Sequence, residues 1–143
     1  MNILHVNLAM RVMAVILLCS TLAITQLSPS TQKAASVRIT EGPAIERADA
    51  NSAIITWRSN NPGGAPEHYG VVYYGKNPGE LSQTAKSKIR LNPSHSYTVF
   101  RVWMPDLQPQ TTYYYKVDSM EANGNSDGVQ SPLKQFTTRE RGN

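Results

Sequence analysis

The residues with the most chemical promise lie at Gly124-Asn125-Ser126-Asp127-Gly128, which fits the Gly-x-Ser-x-Gly pattern of a nucleophile elbow. That elbow requires a strand, a strained turn and a helix, with a histidine to take the serine proton. Here the pattern joins two strand-like stretches, and its composition is that of an ordinary turn. Asn123-x-Asn125-x-Asp127-Gly128 also imitates the start of a calcium loop. Its twelfth position is Lys134, where calcium needs a bidentate glutamate and a cation repels it. Of the three histidines, His5 lies in the apolar N-terminal stretch, while His68 and His95 are read as solvated residues at loop ends. Neither has the companions a zinc site needs. No catalytic residue, metal ligand or cofactor is therefore expected.

A chain of 143 residues suits one domain plus an accessory segment. The net charge is +4 without a polybasic run, so nucleic acid is not an expected partner. A single cysteine, Cys19, excludes an intrachain disulfide. Residues 1–36 differ from the rest. Arg11 precedes an apolar run over 12–23, and small and polar residues then lead to Ala34-Ala35-Ser36. These are the three regions of a secretory signal peptide, and the run is shorter than the ~20 residues of a spanning helix. The expectation is a secreted or cell-envelope protein whose mature chain begins between about Thr25 and Val37. The alternative is an uncleaved N-terminal anchor lengthened by the apolar residues 3–10, the one expected route to a membrane. A lipoprotein is disfavoured because Leu18, not a small residue, precedes Cys19.

The elements that must position any site are all β. Residues 37–47 read as an edge strand broken by Gly42-Pro43. Residues 53–58 put Ala53, Ile55 and Trp57 on one face and Ile54, Thr56 and Arg58 on the other. Trp57 is the expected centre of the core. Residues 59–67 form a loop, 68–75 a strand, 81–89 a weak polar edge strand, 92–95 a turn and 97–104 a strand. Then comes Asp106-Leu107-Gln108-Pro109-Gln110-Thr111-Thr112-Tyr113. Pro109 cannot donate to a ladder, so the chain must leave its sheet there. Leu107 would plug the corner, and the Tyr113 hydroxyl would bond back to upstream backbone. Tyr113, Tyr115 and Val117 face in on the following strand, 123–128 is a loop, and 132–138 is a last strand with Phe136 inward. This is an all-β, seven-stranded immunoglobulin-like sandwich over 37–139, preceded by the signal segment 1–36 and followed by a tail, 140–143.

The outward parities offer two candidate binding surfaces. Val72 and Tyr74 face in, which puts Tyr69, Val71 and Tyr73 outside, next to Tyr114 on the neighbouring strand. On 97–104, Phe100, Val102 and Met104 face in and Val99, Arg101 and Trp103 face out beside Ile54. Clustered exposed aromatics suggest an interface; the alternative is cross-strand pairing that only stabilises the sheet.

Leu107, Pro109, Thr111 and Tyr113 together resemble the E–F corner of fibronectin type III domains. Residues 37–138 more closely resemble the β-sandwich that precedes the catalytic domain in purple acid phosphatases and related bacterial metallophosphoesterases. The matching residues are Gly42-Pro43-Ala44-Ile45-Glu46, Ser52-Ala53-Ile54-Ile55-Thr56-Trp57, Tyr74-Gly75, Leu107-Gln108-Pro109, Thr111-Thr112-Tyr113-Tyr114-Tyr115-Lys116-Val117 and Phe136-Thr137-Thr138. The resemblance implies an accessory module, with metals and catalytic histidines held by another domain. Two metals about 3.5–4 Å apart need several Asp, Asn and His ligands, and the motifs that supply them are missing here. Acid phosphatase activity is expected only if another chain supplies the catalytic domain. The expected function is that of a non-catalytic exported module binding a protein or polysaccharide. The alternative is an accessory domain or truncated fragment of a secreted metallophosphoesterase.

Overall fold

The computed structural model describes residues 33–62, 68–87 and 95–142. Most of the signal segment (with Cys19 and His5), loop residues 63–67 and the turn at 92–94 lie outside them. Seven strands follow in order: β1 (Ile39–Ala48), β2 (Ala53–Ser59), β3 (His68–Gly75), β4 (Gln83–Lys86), β5 (Thr98–Met104), β6 (Thr112–Glu121) and β7 (Lys134–Thr137). They form two antiparallel sheets, β1-β2-β5 and β4-β3-β6-β7, which is the expected seven-stranded sandwich. Among the described residues no helix is long and apolar enough to cross a membrane.

Strict period-two patterning builds the core. On β2, Ala53, Ile55 and Trp57 are buried, and on β5 Phe100, Val102 and Met104 are buried opposite them in register. Trp57 stacks on Phe100 with ring centroids 5.0 Å apart. The indole also lies against the backbone of β3, where a Cβ on Gly70 would sit 2.6 Å from Trp57 Cη2. Only a glycine lets the two sheets approach this closely. Tyr74, Tyr113, Tyr115 and Phe136 line the inner face of the four-stranded sheet. Burial pushes the Tyr115 phenol up to about 12, as expected of a hydroxyl in a dry interior.

The corner before β6 holds its predicted geometry. Leu107 is buried, and the Tyr113 hydroxyl accepts a hydrogen bond from the Gln108 N–H at 2.9 Å. Thr138 closes the other side, accepting from the Thr111 N–H at 3.0 Å and donating to the Gln108 carbonyl at 2.5 Å. Asp106 and Gln110 flank Pro109 in left-handed conformations, φ 57° and 49°.

Gly42-Pro43 does not break β1 as expected. The peptide is cis, Gly42 has φ 78°, and pairing resumes on both sides, with Glu41 opposite Arg58 and Ala44 opposite Thr56. The extra residue is absorbed as a bulge. The edge strand expected over 81–89 pairs only at Gln83–Lys86 within the described residues. β7 is shorter than 132–138, since Pro132 has no N–H to donate.

Candidate functional site

The outer face of the four-stranded sheet carries Tyr69, Val71 and Tyr73 from β3 and Tyr114 from β6. Register sets their neighbours: Tyr69 faces Met120, Val71 lies between Lys86 and Asp118, Tyr73 lies between Thr84 and Lys116, and Tyr114 faces Gly75. Tyr114 is thus roughly 20 Å from Tyr69 along the strand direction, at ~3.3 Å per residue. The structure therefore groups Tyr69 and Tyr73 around Val71 and leaves Tyr114 at the far end.

Val71 is not an exposed patch residue; it is 2% accessible. Tyr69 and Tyr73 flank it on its own strand, and Lys86 and Asp118 flank it across the sheet, with Lys86 Nζ 5.3 Å from the Tyr69 ring centre. Outward parity on a strand means exposure only if neighbouring side chains leave the residue open. The segment after β6 turns back alongside that strand, with the Asp127 N–H donating to the Ser119 carbonyl and the Ser131 N–H to the Val117 carbonyl. Ser126 bridges to Met120, and its hydroxyl lies 3.0 Å from both carboxylate oxygens of Asp118. Asp118 and Met120 are buried as a result. Burial raises the Asp118 carboxyl above its ordinary value, against the opposing hydrogen bonds from Ser126 and the Ser119 amide. Burial, aided by the Asp118 charge, likewise raises the Tyr73 phenol. Tyr69, Tyr73 and Tyr114 are all half-buried in this layer.

The outer face of β1-β2-β5 is more open. In register, Ile54 pairs with Trp103, Thr56 with Arg101 and Arg58 with Val99. Trp103 is 61% exposed and Val99 49%. Arg101 grips Glu46 with two nitrogens, Nε reaching Oε2 at 2.5 Å and the second closing on Oε1. That hydrogen bonding holds the Glu46 carboxyl below its ordinary value and raises the guanidinium. Arg58 pairs with Glu41 at 2.5 Å and lies 4.2 Å over the Tyr97 ring. Beside the Arg58–Glu41 pair lies a groove of about 300 Å³, lined by Glu41, Gly42, Ala44, Thr56, Trp57, Arg58 and Val99. The β1 bulge opens it, by moving Gly42 and Pro43 out of direct pairing. The charges along this face compensate one another, and its apolar surface is unpaired. Sequence reading found Trp103 and Arg101 but not the groove; Gly42-Pro43 inside a paired strand is the signal that could have found it.

The motifs that imitated catalysis have structural partners. Ser126 engages Asp118 and its hydroxyl accepts from the Gly128 N–H at 2.9 Å. His68 was expected at a solvated loop end but is 2% accessible. It shares the inward parity of Gly70, Val72 and Tyr74. Its Nε2 lies 3.0 Å from Thr98 Oγ1, whose hydroxyl donates to the Asn61 carbonyl, so Nε2 carries the proton. His95 is exposed beside Tyr97. Among the described residues no group of three or more His, Cys, Asp or Glu side chains could hold a metal ion.

The family model of the purple acid phosphatase N-terminal domain matches residues 42–138. This chain belongs to that family. As a purple acid phosphatase N-terminal domain it is a non-catalytic accessory module with a fibronectin type III-like fold. Among solved structures, the sensor domain of the anti-sigma factor RsgI4 in Pseudobacteroides cellulosolvens is similar. It is 19% identical with a TM-score of 0.52, over 75% of this chain and 93% of that one. A fibronectin type III domain of human fibronectin type III domain containing protein 3 is 15% identical with a TM-score of 0.48, over 78% of this chain and 91% of that one. At 19% identity the likeness to the sensor domain is one of fold. No curated protein matches the chain in sequence.

Proposed function

We propose that this purple acid phosphatase N-terminal domain is an exported binding module that contacts a protein partner through the outer face of β1-β2-β5, centred on Trp103. One observation carries the reading: Trp103 is 61% exposed on a sheet whose core already has its own indole in Trp57. Leaving that much apolar surface in water contributes nothing to folding, but burying it would favour association at about 25 cal/mol per Å². Trp and Arg are the residue types that dominate binding hot spots, and here Trp103 and Arg101 are neighbours on one strand. The charged groups of the face are already paired, which suits an apolar patch with a polar rim better than a strongly charged ligand. Export is supported by the composition of the N-terminal segment.

A second reading is favoured by the family match. The partner surface would then belong to a metallophosphoesterase catalytic domain, and the module would be its accessory part.

Capture experiments separate the surfaces. The purified chain, immobilised and exposed to solubilised envelope proteins or to insoluble polysaccharide, should retain a defined protein. Trp103→Ser should abolish retention at unchanged melting temperature, and replacing Tyr69, Tyr73 and Tyr114 together should not. Retention lost with the tyrosines and kept by Trp103→Ser would refute the assignment. Polysaccharide retention that depends on Trp103 would change the ligand class.

A further inference from the structure

At the end of the sandwich nearest the β6–β7 connection, two carboxylates share one cation. The Asp127 side chain is 0% accessible. Its Oδ2 accepts from the Ser119 hydroxyl at 2.7 Å, with the Asn61 side-chain amide at 3.5 Å. Glu121 stands at the end of β6. A buried carboxylate needs a partner of opposite charge. Lys33 supplies it: its Nζ donates to Glu121 Oε1 at 3.0 Å and lies 3.1 Å from Asp127 Oδ1.

The residues after Lys33 are also built into the domain. The Ala34 N–H donates to Asn61 Oδ1 at 2.9 Å, and Asn61 is itself fully buried. The Ser36 carbonyl accepts from Asn60 Nδ2 at 2.9 Å, Val37 is buried, and the Arg38 N–H donates to Asn60 Oδ1 at 2.7 Å. The small residues Ala34-Ala35-Ser36, which look like a cleavage signal in sequence, are therefore a strap along the loop after β2.

We propose that the folded domain includes Lys33, the counter-ion that locks the β6–β7 connection, and that leader removal falls on the N-terminal side of Lys33 rather than after Ser36. Cutting after Ser36 would remove the cation and leave Glu121 and the buried Asp127 without their counter-ion. The position of the cut rests on the export reading; the counter-ion role does not.

Two measurements on the full-length gene product test this. Intact mass and N-terminal sequencing of the chain from the producing cell should place the first residue at Lys33 or upstream. A first residue anywhere from Ala34 to Val37 would overturn the boundary. Hydrogen exchange at the Asp127 and Glu121 amides, which bond to the Ser119 and Asn125 carbonyls, should be about ten-fold faster or more in Lys33→Met. Lys33→Arg should restore most of the protection. Unchanged exchange in Lys33→Met would overturn the counter-ion role. A chain that keeps Met1 would overturn leader removal and favour the uncleaved anchor, and the exchange comparison would still decide the role of Lys33.

Discussion

The Tyr113 hydroxyl accepts a hydrogen bond from the backbone N–H of Gln108, 2.9 Å away across the turn at Pro109. This bond ties the start of β6 to the chain that leaves β5, on the side of the corner opposite Thr138. Tyr113→Phe removes the acceptor and keeps the ring packed on Phe136. Denaturant unfolding should show a loss of about 1–3 kcal/mol. A variant level with wild type would mean that the corner is held by Leu107 and Thr138 instead.

Trp57 and Gly70 act as a pair. Trp57→Ala should cost about 3–5 kcal/mol through the cavity it leaves. Gly70→Ala should cost about 1–3 kcal/mol by overpacking against the indole. In a Trp57→Phe background the smaller ring makes room, so Gly70→Ala should cost less there. Strict additivity in that double-mutant cycle would show that the indole and the β3 backbone do not constrain each other.

The carboxylate cluster sets a pH signature. The hydrogen bond from Lys33 lowers the Glu121 carboxyl, so its stabilising contribution is present above its unfolded value and is lost as pH falls through its folded value. Hydrogen bonding to Glu121 and then Asp127 raises Lys33, so its contribution is present below its unfolded value and is lost as pH rises through its folded one. Asp118 has the opposite sign to Glu121: its raised carboxyl favours the fold in acid, and that favour is lost as pH rises through its folded value. Lys33→Met should therefore flatten the alkaline limb of the melting-temperature profile and weaken the acid limb. Identical profiles for the two proteins would contradict the pairing.

Among the described residues no group of three or more His, Cys, Asp or Glu side chains could hold a metal ion. The purified chain supplied with iron, zinc or manganese should accordingly hydrolyse no phosphate ester above the metal-only control. Turnover that survives repurification and depends on His68 or His95 would overturn the non-catalytic assignment.

Much of the fold was legible because its signals are local. Alternation on β2 and β5 needs only the period of a strand, and Leu107, Pro109 and Tyr113 each carry their own constraint at the corner. What escaped was non-local. Val71 has outward parity but is enclosed by side chains from its own and neighbouring strands. His68 is buried because Thr98, from the other sheet, meets it. Lys33 reads as leader until Glu121, 88 residues away, is placed beside it. The groove beside Val99 required knowing that β1 stays paired on both sides of Gly42-Pro43.

The central claim is that the Trp103 face is the contact surface, and the two tryptophans allow a direct measurement. Trp57 is buried and Trp103 is exposed, so acrylamide quenching of the protein's fluorescence reports mainly on Trp103. Adding the captured partner should protect the quenchable component and shift its emission to the blue, and Trp103→Phe should lack that component altogether. Stoichiometric binding that leaves the quenching of Trp103 unchanged would contradict the account.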